Sequence, residues 1–533
     1  MSLKVYIVGV GMTNFVKPNN AKDYPEIGKE AVEEALADSG ISYDAVQQAV
    51  CGYVYGNSTC GQRVLYQLGM TGIPIYNVNN HGATGATALY LAYQLVQGGL
   101  ADIVLALGFE KMSPGTLPGT AYPDRTYPLD KHADKMLEMV RIENAPLTAQ
   151  CFGNAGLEHM KKYGTTRLHF AKIAFKNHQN GSRNPRALNQ KAYTLDEILN
   201  SKQIFGPLTK LQCCGNSDGA AAAILMSEKA VAYYNLHEKA VEISGMTMAT
   251  DTEAVFTEKS LMKVTGYDMS ALAAKKVYAK SGISPKQIDV VELHDCFSCN
   301  ELITYESLQL CEEGKGGEFV DAGDNTYGGK VVVNPSGGLI AKGNPIGATG
   351  LAQCAELVWQ LRGEAGRRQV PNARIGLQHN LGLGGAVVVA IYRKGFDSVA
   401  SKQISTITDN PESFKVYKYI KILEEVLKTM NEDLIDKVRG VYGIKVHNGP
   451  NGAQGYWIIN TKVGKGKITY KSNEKPEVIL TGSDQDIADI VSGKMDCQKA
   501  YLRGILSVQG NMTLAKKLQK LLAGTMKLVR AKI

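Results

Sequence analysis

The stretch NVNNHGATGATALYLAYQL, residues 77–95, changes from a polar turn into a helix rich in small residues. A strand-to-helix junction of this kind directs backbone N–H groups and the positive end of the helix at one point. Such a point favours the thiolate of a cysteine. The residue at the junction is Gly82, which has no side chain. The stretch therefore raises the question whether this turn belongs to a site that uses another residue or to one that lacks its nucleophile.

The same pattern returns about 265 residues later, because GATGATALYLA at 82–92 resembles GATGLAQCAEL at 347–357. Each copy is followed by a strand of small and apolar residues, ADIVLALGFE at 101–110 and ARIGLQHNLGLGGAVVVAIY at 373–392. This repeat predicts a duplicated α/β half, with a glycine-rich turn and a buried helix in each copy.

Over residues 1–395, short apolar strands alternate with amphipathic helices. The strand VYIVGVG at 5–11 precedes a helical segment in which Ile27, Ala31 and Ala35 share one face. Continuous apolar strands are typical of α/β proteins whose sheets are covered on both faces. We therefore predict two α/β halves, at 1–240 and 241–395.

A different pattern follows a polar segment at 396–411, which we predict to be a linker. The helix VYKYIKILEEVLKTM at 416–430, the strands GYWIIN and KITYKS, and a final helix at 510–524 come after it. Residues 412–533 are therefore predicted to form a separate small α+β domain.

Composition limits the classes of protein that fit. No apolar run approaches the roughly 18 residues of a membrane span. Cys296 and Cys299 form a CxxC pair without a second pair at suitable spacing, so we expect no metal site. Residues 396–533 carry 22 Lys and Arg against 14 Asp and Glu, but without interleaved aromatic residues, so we expect no nucleic-acid partner.

Nearly the whole chain resembles the sterol carrier protein x family, in which a thiolase is fused to a sterol carrier domain. The motifs that carry the resemblance are HDCF at 294–297, NPSGGLIAKGNPIGATGLAQCAEL at 334–357, QHNLGLGGAVVV at 378–389 and SGKMDCQKAYLRGILSVQGNMTLAKKLQ at 492–519. The resemblance implies a thiolase fold of two βαβαβαββ halves and a small α+β sterol carrier domain. It also implies a dimer, coenzyme A as substrate or ligand with no other cofactor, and binding of acyl-CoA, fatty acids or sterols.

The resemblance also implies roles for individual residues. His294 matches an oxyanion donor and Cys296 an acid/base thiol. The last catalytic loop is matched by His379, Gly384 and Gly385.

Two positions depart from the family pattern. Gly82 stands where the family has its nucleophilic cysteine, and Asn344 stands where the family has the histidine of Gly-His-Pro. An asparagine cannot accept and return a proton near neutral pH. We therefore expect ordinary thiolysis of 3-ketoacyl-CoA to be impaired, with acyl-CoA and lipid binding retained.

Two side chains are candidates to replace the nucleophile. His81 could act as a nucleophile or as a base, and Cys296 could become acylated. Three functions stay open: an acyl-CoA binder, as a homodimer or paired with an active relative; an active thiolase with a surrogate nucleophile; and a non-covalent aldolase or lyase acting on 3-hydroxyacyl-CoA.

The C-terminal domain needs an apolar lining to carry a lipid, although the same periodicity also fits plain core packing. The candidate lining residues are Val416, Ile420, Leu423, Leu427, Trp457, Ile459, Leu514, Leu518 and Leu521. The basic excess of the domain would favour transient contact with anionic membranes.

The chain ends in Ala531-Lys532-Ile533, which resembles a small–basic–leucine peroxisomal signal with isoleucine in the last position. We expect recognition by the peroxisomal import receptor, with the cytoplasm as the alternative location.

Overall fold

The computed structural model describes residues 3–18, 22–113, 124–396, 410–447, 449–450, 453–472, 474–492, 494–496, 500–501, 506–511, 514 and 517. The chain divides into two compact units, Met1–Gly395 and Phe396–Ile533. The limits of the two halves and of the linker stay predictions.

The described strands of the first unit are β1 (Val5–Met12), β2 (Gln48–Gly52), β3 (Ile75–Val78), β4 (Ile103–Glu110), β5 (Gln203–Phe205), β6 (Leu208–Thr209), β7 (Gly219–Ser227), β8 (Val241–Ala249), β9 (Val290–Glu292), β10 (Val332–Val333), β11 (Ile375–Gly382) and β12 (Ala386–Lys394). All except β5 and β6, which pair with each other, form one sheet in the order β10-β9-β11-β12-β8-β1-β7-β4-β2-β3. β1, β4 and β7 are buried along their whole length, as expected of strands covered on both faces.

The described α-helices of this unit are α1 (Tyr24–Ser39), α2 (Cys60–Leu65), α3 (Thr84–Gln97), α4 (Asp130–Leu137), α5 (Leu147–Tyr163), α6 (Arg167–Gly181), α7 (Leu195–Leu199), α8 (Glu228–Tyr234), α9 (Ala254–Thr257), α10 (Leu261–Val264), α11 (Tyr267–Ser281), α12 (Ser298–Ser307), α13 (Gly316–Asp321), α14 (Gly338–Lys342) and α15 (Thr349–Arg362). In α1 the predicted face is correct, because Ile27, Ala31 and Ala35 are buried.

The large sheet is built from two halves with the same connectivity. The first half runs β1-α1-β2-α2-β3-α3-β4-β7 and the second runs β8-α11-β9-α12-β10-α15-β11-β12, with the remaining elements as insertions. Their strands lie in matching orders, β3-β2-β4-β7-β1 and β10-β9-β11-β12-β8, and the halves join where β1 pairs with β8. The predicted duplication of a βαβαβαββ unit is confirmed.

The repeated GATG sequences bring α3 and α15 into contact. A Cβ built on Gly85 would lie 2.9 Å from the main-chain nitrogen of Gly350, and one built on Gly350 would lie 2.2 Å from that of Ala86. Glycine is therefore required for this backbone approach. The first turns of α3 and α15 therefore lie side by side.

The second unit contains α16 (Tyr417–Thr429), α17 (Glu432–Lys437) and α18 (Asp484–Val491), with strands β13 (Val441–His447), β14 (Gly455–Asn460), β15 (Lys467–Tyr470), β16 (Val478–Ser483) and β17 (Ser507–Gly510). The strands form one sheet in the order β15-β14-β13-β16-β17. The small α+β fold predicted from the sequence is confirmed.

Most of the predicted lipid-lining residues are buried together on one side of this second sheet: Val416, Ile420, Leu423, Leu427, Trp457, Ile459 and Leu514. Leu518, Leu521 and the C-terminal Ala531-Lys532-Ile533 lie outside the described residues. Within the described residues, no helix combines the length and hydropathy needed to span a membrane.

Candidate active site

A cavity of about 360 Å³ lies within the first unit, and both halves contribute to its walls. The turn between β3 and α3 forms one wall with His81 and Gly82. The second half contributes His294, Cys296 and Asn344. The structure thus brings these five predicted site residues together, although the first and the last of them, His81 and Asn344, are more than 260 positions apart in the sequence. What each of them does stays a prediction.

His294 follows the end of β9 and carries a neutral ring, since burial, together with His379 and His81, lowers its pKa to about 3. Asn380 on β11 approaches the ring, with Nδ2 3.2 Å from Nδ1 of His294. A neutral imidazole whose Nδ1 accepts a hydrogen bond carries its proton on Nε2. The ring edge faces the turn, because a Cβ on Gly82 would lie 3.1 Å from Cε1 of His294.

His379 lies behind His294 and is not among the described residues that line the cavity. Its Nδ1 accepts the main-chain N–H of His294 at 3.4 Å, and its Nε2 lies 3.0 Å from Oγ of Ser270. Burial lowers the pKa of His379 to about 3. The geometry therefore makes His379 a support for His294. Gly384 and Gly385 form the turn after β11, both with positive φ, and Leu383 just before them reaches the cavity.

Cys296 is held in the HDCF loop by the buried carboxylate of Asp295. The main-chain N–H groups of Leu339 and Ile340 donate to this carboxylate at 2.7 and 3.3 Å, and Nδ2 of Asn177 donates at 2.8 Å. Because Leu339 and Ile340 belong to α14, which precedes Asn344, the Asp295 carboxyl group connects the HDCF loop with the segment that leads to Asn344. Burial raises the pKa of the Cys296 thiol well above its usual range, so this thiol is protonated.

The side chain of Asn344, which lies between α14 and α15, is oriented by Thr349 at the start of α15. Its Oδ1 accepts the hydroxyl hydrogen bond of Thr349 at 2.7 Å, which directs Nδ2 away from α15. Nδ2 lies 3.6 Å from Sγ of Cys214. Asn344 therefore presents a donor where the family resemblance implies a histidine.

The turn at Gly82 is packed directly against the end of β11. A Cβ on Gly82 would lie 2.3 Å from the main-chain oxygen of Leu381, and one on Gly382 would lie 2.2 Å from that of Asn80. Real Cβ atoms do not approach backbone oxygen this closely. The backbone around Gly82 is therefore arranged so closely that it leaves a side chain no room.

His81 has a left-handed backbone, with φ at +49°, and its N–H is bonded to Oδ1 of Asn79 at 3.0 Å. Burial lowers the pKa of the His81 imidazole. No described residue forms a hydrogen bond with the ring, which lines the cavity. At neutral pH the ring is uncharged and able to accept a proton.

Cys214 is a cavity residue that sequence reasoning missed, since LQCCG reads as a pair of buried thiols. Its main-chain N–H donates to the oxygen of Cys296 at 2.9 Å, and Cys213 pairs with Phe297 in an antiparallel bridge. Burial raises the pKa of the Cys214 thiol to about 12, partly offset by the contact from Asn344. The position of Cys214 at the cavity follows only from the long-range pairing of residues 213–214 with residues 296–297.

The rest of the cavity wall is mainly apolar, with Phe152, Ile204, Leu211, Ile340 and Leu383 among its residues. Such a surface suits an acyl chain, and the donors of His294 and Asn344 suit a carbonyl oxygen. Within the described parts of the chain, no group of three or more His, Cys, Asp or Glu side chains is arranged to hold a metal ion.

Comparison with known families matches three segments of the chain. Residues 5–229 match the thiolase N-terminal domain, residues 247–394 the thiolase C-terminal domain-like family, and residues 421–523 the SCP-2 sterol transfer family. Together these models cover both units.

Whole-length relatives agree with this division. Sterol carrier protein 2 from Oryctolagus cuniculus and from Homo sapiens are each 54% identical over 527 residues, covering 97% of this chain and 96% of the relative. Two solved structures share the fold: the Ltp2-ChsH2(DUF35) aldolase, with a TM-score of 0.62 and 23% identity over 73% of this chain and 97% of that one, and human mitochondrial 3-ketoacyl-CoA thiolase, with a TM-score of 0.56 and 19% identity over 73% and 98%. The chain therefore belongs to the sterol carrier protein 2 family, in the form that carries a thiolase unit ahead of the SCP-2 sterol transfer unit.

Proposed function

We propose that the thiolase unit binds an acyl-CoA and holds its acyl carbonyl oxygen with His294 and Asn344, while the C-terminal unit carries fatty acyl chains or sterols. The observation that supports this most directly is the meeting of two neutral N–H donors in one largely apolar cavity. Donors fixed in a buried site stabilise negative charge on a carbonyl oxygen.

Thiolysis is the activity that this site supports least. The thiols that line the cavity, those of Cys213, Cys214 and Cys296, are protonated because burial raises the pKa of each, and Gly82 offers no nucleophile. Loss of a covalent nucleophile removes several orders of magnitude in rate.

The test compares the native protein with the double variant Gly82→Cys, Asn344→His in CoA-dependent cleavage of a medium-chain 3-ketoacyl-CoA. We expect the native protein to bind the substrate, measured by calorimetry, without cleaving it. Cleavage by the native protein that is comparable with that of the double variant would contradict the proposal.

A non-covalent lyase is the second candidate function, and it is favoured by the ring of His81, which lines the cavity without a hydrogen-bond partner among the described residues. A neutral imidazole beside two carbonyl donors could take the hydroxyl proton of a 3-hydroxyacyl-CoA while the carbon–carbon bond breaks and an enolate forms at the donors. One solved structure with this fold is named an aldolase. The measurement is release of aldehyde or ketone from a 3-hydroxyacyl-CoA, and a native rate equal to that of His81→Ala would contradict this candidate.

The C-terminal unit is proposed to carry the lipid because it matches the SCP-2 sterol transfer family and buries its predicted lining residues together. The test is transfer of a fluorescent fatty acid between vesicles by the full chain. Transfer that is independent of protein concentration would contradict lipid carriage.

We also propose that two copies of the chain pair through the edge of the large sheet. β3 is the terminal strand of that sheet, and its Tyr76 is 45% exposed. An edge strand with an exposed aromatic residue is a ready pairing surface. Light scattering tests this, and we expect Tyr76→Lys to shift the mass from two copies towards one.

Peroxisomal import through Ala531-Lys532-Ile533 is proposed from the sequence alone. Fluorescence microscopy of the chain with an N-terminal fluorescent tag tests it, with the last three residues deleted as the control. Transient contact of the basic C-terminal unit with anionic membranes is tested in the same transfer assay by varying the anionic lipid.

A further inference from the structure

The ring of His294 has two possible neutral forms, and the difference decides what the cavity can do. With the proton on Nε2, the ring donates a hydrogen bond into the cavity. With the proton on Nδ1, the lone pair of Nε2 faces the cavity and the ring acts as a base. The backbone of His294 is held separately, by its N–H bond to His379.

Asn380 contacts one of the two ring nitrogens of His294, Nδ1. It is fully buried on β11, and its Nδ2 lies 3.2 Å from Nδ1 of His294. An amide N–H in this position can donate only to an unprotonated Nδ1. The same contact made by the amide oxygen would require the opposite tautomer.

The orientation of the Asn380 amide is set by α15. Its Oδ1 lies 2.5 Å from the point at which a Cβ on Gly350 would stand, against the first turn of that helix. The N-terminus of a helix carries a partial positive charge, which favours the carbonyl oxygen over the NH₂ group. Oδ1 has no hydrogen-bond partner among the described residues, and its neighbour is the first turn of α15, so we infer the orientation of the amide from this contact.

We propose that Asn380 is a positioning residue that keeps the proton of His294 on Nε2, so that His294 meets an acyl carbonyl as a hydrogen-bond donor and not as a base. Gly350 belongs to this arrangement, because any side chain there would displace the amide. The naming of an acyl carbonyl as the ligand rests on the proposed function, whereas the tautomer is a property of the ligand-free protein.

The test is nitrogen-15 NMR of the ligand-free full chain labelled at histidine, with the His294 signals identified by their loss in His294→Asn. We expect a protonated Nε2 and an unprotonated Nδ1 at neutral pH. In Asn380→Asp, a carboxylate faces Nδ1, and we expect the proton to appear on that nitrogen. A native spectrum with the proton on Nδ1 would overturn the proposal, as would an unchanged tautomer in Asn380→Asp.

A matched control separates this effect from a general loss of structure. Asn325 is another buried asparagine, bonded through Nδ2 to Tyr305 at 3.0 Å and outside the cavity lining. Asn325→Asp is expected to leave the tautomer of His294 unchanged. A change of tautomer in this control would show that any buried charge suffices, which would contradict the specific role of Asn380.

Infrared difference spectroscopy of bound carbon-13 carbonyl-labelled butanoyl-CoA connects the tautomer with the proposed function. In the native protein we expect the thioester carbonyl band to shift to lower frequency, and in Asn380→Asp we expect that shift to shrink and affinity to fall by up to about tenfold. A correct tautomer with no acyl-CoA binding would contradict the proposed function alone. Binding with an identical carbonyl band in both proteins would contradict the positioning role.

Discussion

The main-chain oxygen of Leu381 occupies the space in which a side chain at position 82 would begin, at 2.3 Å from a Cβ built on Gly82. We therefore expect Gly82→Ala to lower the free energy of unfolding by about 1–3 kcal/mol, because the turn or the end of β11 must move. Chemical denaturation of the two proteins measures this difference. The same crowding predicts that a cysteine restored at position 82 moves the turn.

Gly69→Ala is the matched control for this prediction. A Cβ on Gly69 would meet its nearest neighbour, Tyr43, at 3.4 Å, which is ordinary van der Waals contact. Equal stability changes in the two alanine variants would show that crowding by Leu381 has no effect.

Loss of either carbonyl donor should weaken acyl-CoA binding without unfolding the protein. His294→Ala removes one donor, and Asn344→Asp removes the other while leaving an acceptor for the hydroxyl of Thr349. Each is expected to weaken binding by up to about tenfold, with the larger effect for Asn344→Asp because a carboxylate repels the carbonyl oxygen. Calorimetric titration gives the affinities, and unchanged values in both variants would refute the carbonyl-binding role.

Glu110 should make stability depend on pH near neutrality. Burial raises the pKa of this carboxyl group from 4.5 to about 7, although the N–H groups of Tyr55, Val54 and Gly347 oppose the effect. The folded protein therefore binds a proton that the unfolded chain has released. The stabilisation that this proton on Glu110 provides is complete below pH 4.5 and is lost as the pH rises through 7. The free energy of unfolding therefore falls by at most about 1.4 kcal/mol per pH unit.

Denaturation of native protein and Glu110→Gln at several pH values between 5 and 8 measures this contribution. As the pH rises over this range, we expect the native protein to lose stability relative to Glu110→Gln, because only the native protein loses the contribution of protonated Glu110. A constant difference would mean that Glu110 does not titrate in the folded protein.

The crossing of α3 and α15 should tolerate no side chain at its centre. Gly350→Ala would place a Cβ 2.2 Å from the main-chain nitrogen of Ala86 and against the amide of Asn380. We expect the free energy of unfolding to fall by about 1–3 kcal/mol or more, and the NMR signals of the His294 ring to change. Denaturation and the histidine NMR spectrum check both effects, and a fully stable variant would contradict this account of the contact.

The second unit should respond to core truncation on its own. Leu423→Ala removes a fully buried side chain from the cluster that also contains Trp457. We expect the free energy of unfolding of the second unit to fall by about 2–5 kcal/mol. In calorimetry, only the transition of this unit should then move to lower temperature. Because the first unit has its own core, its transition should stay in place, and a shift of both transitions would show that the two units unfold together.

Much of this fold could be predicted from sequence because its signals are local or repeated. The GATG copies predicted the duplication, and the apolar strands predicted a doubly covered sheet. A separate C-terminal domain was predicted in part from the period of α16, in which Ile420, Leu423 and Leu427 are buried, whereas its sterol carrier character came only from the family resemblance.

The supporting residues of the site could not be predicted in the same way. Asn380, Asp295 and Cys214 contact partners that lie far away in sequence. Asp295 and Asn380 belong to the HDCF and QHNLGLGGAVVV motifs, but nothing local to any of the three residues indicates which partner it meets. His379 was expected at the cavity from its motif, yet only the fold reveals that its ring faces Ser270 and the backbone of His294. The crowding at Gly82 is likewise a property of two backbones that meet in space.

The walls of the cavity come from both copies of the repeated half, with His81 from the first and His294 and Asn344 from the second. A polypeptide with the length of one half could not have enclosed this site by itself. Its ancestor before duplication would have needed a second molecule to complete the pocket. Because the two copies form different walls, a substitution in one copy alters one wall of the cavity and leaves the residues of the other wall unchanged.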